Sequence, residues 1–536
     1  VGLALVGLWA GAALAAPVTP DQAKSLVSGW LKIDASPLGT RAATAVGTPE
    51  KRFGGNGSFY YYVVGTGTGF AIVPGDDRIE PIIAFSPSGY FDGSVSNPLR
   101  VLVERDLKGR FAALGFSGSK TGAALQAKWE ALTAAMPVKA GIASVSDVRV
   151  DPLVQTKWSQ STAYSGGPNC YNYYTPNHYV CGCVATAMAQ LMRFYQLPAA
   201  GIGVHSFPIT VDGVTQTATT RGGDGAGGAY DWASMVLDPA GSSATLTEAQ
   251  CAAIGALTYD AGVAAHMNYS SGESGTGTND AREALVNTFG YTNAIYGYSG
   301  TMGVNIPNAT LLKMVNPNLD AGRPVLLGLT DTSTGGGHEI VCDGYGYQTG
   351  TLYHHMNLGW AGAEDLWYNM PNLDNAGFDV IDDICYNIYP SGTGETLSGR
   401  VLDALGNPIA GAVVTGTGGG RTLTDTTDAR GIYALAGFPS AATVALSVTA
   451  TGHAFSDQSV TVGQSTNAGL ECGNLWGVDF QEGVTPSPTP TGTGPTSTPA
   501  PTHGGGGGGG GCSGLGFAPF LLILLPAGFL ALRGRR

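Results

Sequence analysis

The segment Cys181-Gly182-Cys183-Val184-Ala185-Thr186-Ala187-Met188-Ala189-Gln190-Leu191-Met192-Arg193-Phe194-Tyr195 carries a helix pattern from Cys183 onward, stopped by Pro198. Ala185, Ala189 and Met192 share one face, and small residues there permit close packing. Cys183 falls at the helix N-terminus, where unpaired N–H groups and the helix dipole stabilise a thiolate. The thiolate, not the thiol, is the effective nucleophile. Taken alone, such a cysteine is more often a buried structural residue or a disulfide half, so the assignment depends on partners elsewhere in the chain.

A nucleophilic cysteine needs a base. Gly335-Gly336-Gly337-His338-Glu339-Ile340-Val341-Cys342-Asp343-Gly344 reads as a strand entered from a glycine loop, with His338, Ile340 and Cys342 on one face. After the turn segment Tyr345–Gly350, a second strand runs from Thr351 to Asn357. A hairpin with Tyr347 opposite Gln348 sets His338 opposite Asn357, with Cβ atoms about 5 Å apart. Asn357 is then placed to accept a hydrogen bond from the imidazole and to fix its tautomer. Trp360 follows closely, and its ring over the His–Asn pair would exclude water. The third requirement is an oxyanion hole. In Thr156-Lys157-Trp158-Ser159-Gln160, the Gln160 amide is the candidate donor, with the Cys183 N–H as the second.

Two competing motifs fail on spacing. His338-Glu339 opens like HExxH, but position 342 is Cys. His354 and His355 are adjacent on a strand and point to opposite faces. No metal set is read, no CxxC pair occurs, and no cofactor is expected.

The whole chain has 536 residues, which suggests about three or four folded units. Hydrophobic residues are 43% of the chain, enough for ordinary cores, while charged residues are only 12%, against roughly 25% in typical soluble proteins. The net charge of −13 argues against a nucleic-acid partner, which needs clustered Lys and Arg. Residues 1–16, VGLALVGLWAGAALAA, read as a secretory signal peptide remnant with Ala13-Leu14-Ala15 as its cleavage site. Residues 483–511 are a Thr/Pro-rich and then glycine-rich linker. Beyond Cys512, the apolar run Leu515–Leu532 ends in Arg533, Arg535 and Arg536, and is just long enough for a bilayer core. Both ends predict an exported protein held at a membrane or cell surface.

Residues 17–149 form the first part. Helices are expected at 21–32, 97–115 and 121–136, and strands at 59–64, 69–73 and 82–85. This part contains neither His nor Cys, so catalysis is not expected there. Residues 150–390 carry most of the Cys and His. Residues 394–482, rich in Val, Thr and Gly with alternation at Thr443–Thr449, predict a small β-sandwich.

The second part resembles the streptopain family of secreted bacterial cysteine proteases, whose fold is papain-like. The resemblance rests on TKWSQ (156–160), GCVATAMAQLMRFYQLP (182–198), NTFGY (287–291), GGGHEIVCDGY (335–345) and HHMNLGWAG (354–362), in family order. It implies an α+β fold, with Cys183 as nucleophile, His338 as general base and acid, and Asn357 as its orienter. Gln160 becomes the oxyanion donor and Trp360 the shield. Ser274 and Gly277, in a Ser/Gly-rich loop, and Gly337 become substrate-binding residues. Where the family usually has NWGWGG, this chain reads NLGWAG, and Cys181 is an addition that either pairs with Cys170 or competes with Cys183. Residues 59–92 resemble the family's inhibitory propeptide, which implies a zymogen cut near 137–150. GNPIAGAVV and TDARGIYAL resemble carboxypeptidase-regulatory-like modules, and the C-terminal tail resembles the Synergist-CTERM and Myxo-CTERM sorting signals. The expected function is a surface-anchored cysteine endopeptidase made as a zymogen and acting on proteins or peptides. A decayed protease serving as an adhesin, and a thiol acyltransferase, are the alternatives.

Overall fold

The computed structural model describes residues 17–40, 45–95, 97–116, 123–135, 146–241, 246–331, 336–370 and 381–484. The signal-like residues 1–16, most of the expected cut region and the tail beyond 484 lie outside them.

Aromatic and β-branched residues fit a pleated, buried surface, and the chain uses them to build an antiparallel sheet of 11 strands. From one edge it runs Glu50–Gly54, Phe59–Gly65, Phe70–Pro74 and Ala84–Ser86, all from the first part of the chain. It continues through Leu366–Tyr368, Thr351–Asn357, Gly336–Gln348, Val325–Asp331, Asp383–Tyr389 and Asn293–Tyr298. The seam lies where Phe85 pairs with Trp367 and Ala84 with Tyr368. The strand Ser146–Val150 pairs beside Gly336–Gln348.

Alternation along each strand gives this sheet two faces. On one, Leu326, Val341 and Cys385 join a core built with the helices Cys183–Tyr195, Glu248–Ala264 and Thr278–Asn287. On the other, Leu327, Ile340, Cys342 and Ile384 share a core with Tyr61, Ile72, Phe91, Leu99, Leu102, Val103 and Leu107 of the first part. Leu99, Leu102, Val103 and Leu107 stand on one stripe of the helix Pro98–Phe116. The first two parts of the chain thus share both a sheet and a core. A second helix, Pro20–Ile33, starts with a reciprocal capping box between Thr19 and Gln22 and packs on the sheet with Trp30.

The third part is a two-sheet β-sandwich. Strands Ile432–Phe438, Glu395–Leu402 and Phe480–Gln481 form one sheet, and Arg421–Thr426, Val413–Gly418, Thr443–Thr449 and Gln458–Thr461 the other. Leu397, Val414, Tyr433, Phe438, Val444 and Leu446 fill its core. It is not a free appendage. Ser398 donates to the buried Asp320 at 2.6 Å, and Tyr345 donates to the same carboxylate at 2.7 Å.

One expectation is corrected. The hairpin closes at Thr349-Gly350, with Gln348 paired to Thr351, and a bulge interrupts the register between Cys342 and Gly344. Asn357 therefore faces Val341, not His338. His338 pairs with Leu329 on its other side.

Burial pushes the Asp320 carboxyl up to about 7, only partly offset by the Ser398 and Tyr345 hydroxyls. A raised folded value means that the folded chain retains a proton which the unfolded chain releases, so this contribution to stability declines as pH rises between about 4 and 7. Asp320→Asn is expected to raise the melting temperature by a few degrees at pH 7.5 and by less at pH 5, as measured by scanning calorimetry.

Candidate active site

Cys183 is the first residue of the helix Cys183–Tyr195, as the pattern predicts, and the helix ends at Gln196, which takes a left-handed conformation two residues before Pro198. The cap residue Gly182 has φ 91°. A Cβ there would lie 2.8 Å from the Ser274 carbonyl and 2.9 Å from the Met267 sulfur, so the backbone approaches the loop before Thr278 too closely for any side chain. This close approach fixes Ser274 beside the nucleophile. Gly277 caps the helix Thr278–Asn287 just beyond it. Gln160 is placed beside the same turn: its carbonyl accepts the Cys181 N–H at 2.8 Å.

Across from the helix, the Glu339 N–H is directed at the Cys183 sulfur. His338 is therefore one residue from a direct contact with the nucleophile, and Gly337 precedes it on the same strand. The imidazole is 6% exposed. Its Nε2 lies 2.8 Å from the Leu358 carbonyl oxygen, to which it donates. The Trp360 ring lies against it, with centroids 4.8 Å apart and planes at 33°. No hydrogen bond joins the Cys183 thiol to the His338 ring.

Asn357 is near but otherwise engaged. Its Oδ1 accepts from Gln190 Nε2 and from the Gly359 N–H, both at 3.0 Å, and its Nδ2 donates to the Thr156 carbonyl at 2.8 Å. Both lone pairs of Oδ1 are in use, so the imidazole is held one peptide further on. Gln190 is a functional residue that the sequence reading passed over. It is fully buried, and its Oε1 accepts from Thr156 Oγ1 and the Trp158 N–H. The signal was a lone amide two helical turns from Cys183, in a helix whose other polar side chains are Thr186 and Arg193.

The loop from Leu358 to Asp365 is gripped at its far end by the first part of the chain. Ser86 donates to the Asp365 carbonyl at 2.7 Å, while the Asp92 N–H and the Asn97 amide donate to the Glu364 carboxylate at 2.6 and 3.0 Å. Asp365 in turn accepts the Leu358 N–H at 3.0 Å and Asn357 the Gly359 N–H, so the peptides on both sides of Leu358 are pinned. On the other side of His338, Arg105 donates to the Thr330 carbonyl.

This packing sets the charge state. Burial pushes the Cys183 thiol up to about 11, against the lowering effect of the Glu339 N–H. Burial likewise drives His338 down to about 4, against the Leu358 hydrogen bond. At neutral pH both groups are uncharged. Cys181 is not half of a disulfide; it is a buried free thiol against Thr186 Oγ1 at 3.3 Å. The Cys170 thiol instead contacts Cys251.

Residues 158–368 match the Peptidase C10 family, residues 15–105 match the Spi protease inhibitor family, and residues 396–471 match the carboxypeptidase regulatory-like domain. Streptopain of Streptococcus pyogenes is 25% identical over 410 residues, covering 70% of this chain and 92% of the relative. The thiol protease/hemagglutinin PrtT of Porphyromonas gingivalis is 27% identical over 327 residues, covering 60% of this chain and 35% of the relative. Among solved structures, a prointerpain A fragment from Prevotella intermedia aligns at 25% identity and a TM-score of 0.45, over 64% of this chain and 99% of the fragment. The chain is a cysteine protease that carries its own inhibitory propeptide. Its residues 158–368 are of the Peptidase C10 type, as in streptopain, and a carboxypeptidase-regulatory-like domain follows them.

Alkylation by iodoacetamide reads the thiolate directly. In the unprocessed chain, modification of Cys183 is expected to rise only as pH approaches about 11, and after processing the midpoint should fall by several units. Mass spectrometry of the peptide containing Cys183 checks both.

Proposed function

We propose that Cys183, His338, Gln160, Asn357 and Trp360 form the catalytic apparatus of a zymogen whose propeptide keeps it discharged. The observation that carries this reading is the meeting of the Cys183 sulfur, at a helix N-terminus, with the backbone next to His338. In the processed enzyme, water reaches the pair and the imidazole exchanges the Leu358 carbonyl for Asn357 Oδ1. The thiol proton passes to His338, which gives a thiolate–imidazolium pair. The thiolate attacks the peptide carbonyl, and the oxyanion is held by the Gln160 amide and the Cys183 N–H. His338 protonates the leaving amine, then takes a proton from the water that releases the acyl group. Asn357 orients the ring and Trp360 keeps solvent from it. Gly337, Ser274 and Gly277 border the substrate path.

The domain boundaries belong to the same reading: an inhibitory prodomain at 17–149, the protease at 150–390, the β-sandwich at 394–482 and a linker at 483–511. The segments at 1–16 and 512–536 direct export and retention at the cell surface, which places the substrates outside the cytoplasm. Leu358, where relatives of this type carry a second tryptophan, is 1% exposed in the core shared with the first part, and its carbonyl holds His338. The carbonyl contact is main-chain, so the leucine itself contributes only the packing of its side chain in that shared core.

Cys183→Ala is expected to abolish self-processing and casein cleavage, while the wild-type chain, once processed, takes up one equivalent of the epoxide E-64. Intact-mass analysis of both proteins decides: a processed, casein-cleaving Cys183→Ala variant overturns the assignment.

A further inference from the structure

Glu339 lies next to His338 on the strand but points to the opposite face, toward the helix side of the sheet, and it is 4% exposed. Its Oε2 lies 2.6 Å from Thr278 Oγ1, and the same hydroxyl is 3.0 Å from Asp383 Oδ1. A hydroxyl has one proton, so it donates to only one of the two carboxyls; the second must itself be protonated to complete the pair. Glu339 Oε1 is buried with no hydrogen-bond partner, and so is Oδ1 of Asp382, whose other oxygen accepts the Gly303 N–H at 2.7 Å. None of these three carboxyls has a Lys, Arg or His partner among the described residues. The nearby Arg282 is engaged by the Ala294 carbonyl and Glu283.

The cluster is not sealed inside the fold. Asp383 Oδ2 lies 3.3 Å from the Tyr296 hydroxyl, and Tyr296 stacks on Tyr298 at 5.8 Å and 15°, both half-buried on the last strand of the sheet. At the other end is Ser274, 7% exposed, whose hydroxyl has no partner and whose carbonyl abuts the nucleophile's cap. One unpaired acceptor, Glu339 Oε1, thus lies on the residue whose backbone meets Cys183, and the Thr278 hydroxyl links this carboxyl to Asp383 beneath Tyr296. An unpaired buried carboxyl oxygen is costly. An apolar substrate side chain would leave it unpaired and drier still. A cation supplies the missing donors, and the tyrosine faces suit the stem or guanidinium of a long basic side chain.

We propose that Glu339 and Asp383 form the floor of a specificity subsite that takes a lysine or arginine side chain of the substrate, within two residues of the scissile bond. In the unliganded chain, burial raises both carboxyls, helped by Asp383 and Asp382 at Glu339 and by Asp382 at Asp383, and the shared Thr278 hydroxyl keeps a proton between them. The incoming cation displaces that proton and pairs with the resulting carboxylate.

The inference rests on the cysteine-protease reading, so the two are tested separately. The full chain is allowed to process, and its active sites are titrated with iodoacetamide. An unreactive Cys183 would sink the protease reading itself. With active sites counted, kcat/KM is compared for fluorogenic peptides that differ only by lysine, arginine or norleucine at each of the two positions before the bond. A basic residue at one position is expected to be preferred at least tenfold. Glu339→Gln is expected to bring that ratio close to one, and Asp383→Asn to lower it in the same direction. Preference for norleucine in the wild type overturns the proposal whether or not the variants fold. An unchanged ratio in a folded Glu339→Gln protein overturns it too, and assigns the acid pair a purely structural role.

Discussion

The 2.8 Å contact between His338 Nε2 and the Leu358 carbonyl governs the rest of the site. An imidazole that donates to a neutral carbonyl in a dry setting has no reason to take a second proton. A buried thiol without a cation nearby has no reason to lose one. The two burial effects therefore act together: each partner lacks the charge that would stabilise the opposite charge on the other. Helix position alone does not make Cys183 a thiolate. The dipole and the Glu339 N–H favour the anion, but removal from water outweighs them.

The carbonyl that parks the histidine belongs to a loop whose two ends are held by different parts of the chain. The near end hangs from Asn357, which Gln190 and the Thr156 carbonyl fix to the protease. The far end is held through Glu364 and Asp365 by Ser86, Asp92 and Asn97 of the propeptide. Ala361 and Glu364, at φ 56° and 62°, take conformations that L-residues adopt at some energetic expense; the Trp158 carbonyl holds the first, and Asp92 and Asn97 of the propeptide hold the second.

Much of this was legible in the residues. The helix from Cys183, the strand through His338 and the alternating strand Thr443–Thr449 fall where their patterns put them, because each is decided by local periodicity. The pairing of His338 with Asn357 was not legible. It depended on the turn, and Thr349-Gly350, with φ of 48° and 80°, is a two-residue turn of the kind usually announced by Asn-Gly. The bulge near Asp343 then moved the register again, at a place where Gly344 packs tightly on the strand leading into Pro152. Cys170 and Cys251 are distant in sequence, and only the docking of the helix Glu248–Ala264 brings them together. Glu339 was read as a fragment of a failed metal motif; its meaning depends on Thr278 and Asp383, which no spacing rule connects to it.

A single cut between propeptide and protease does not by itself release this site. The propeptide is bound by the Phe85–Trp367 and Ala84–Tyr368 pairing, by a common apolar core and by the buried Asp106, which accepts from Tyr368 at 2.7 Å. None of these depends on chain continuity. Before the cut, the covalent link presents the propeptide at an effective concentration on the order of millimolar. The cut removes that advantage and leaves an ordinary equilibrium, in which dilution or digestion of the departing domain drives the change. Departure also uncovers the edge of the strand Leu366–Tyr368 and frees Glu364 and Asp365 together, so the loop loses its far anchor in one step. The histidine is thus released by loss of a domain rather than by cleavage of a bond, and the shared sheet is what makes those two events separable.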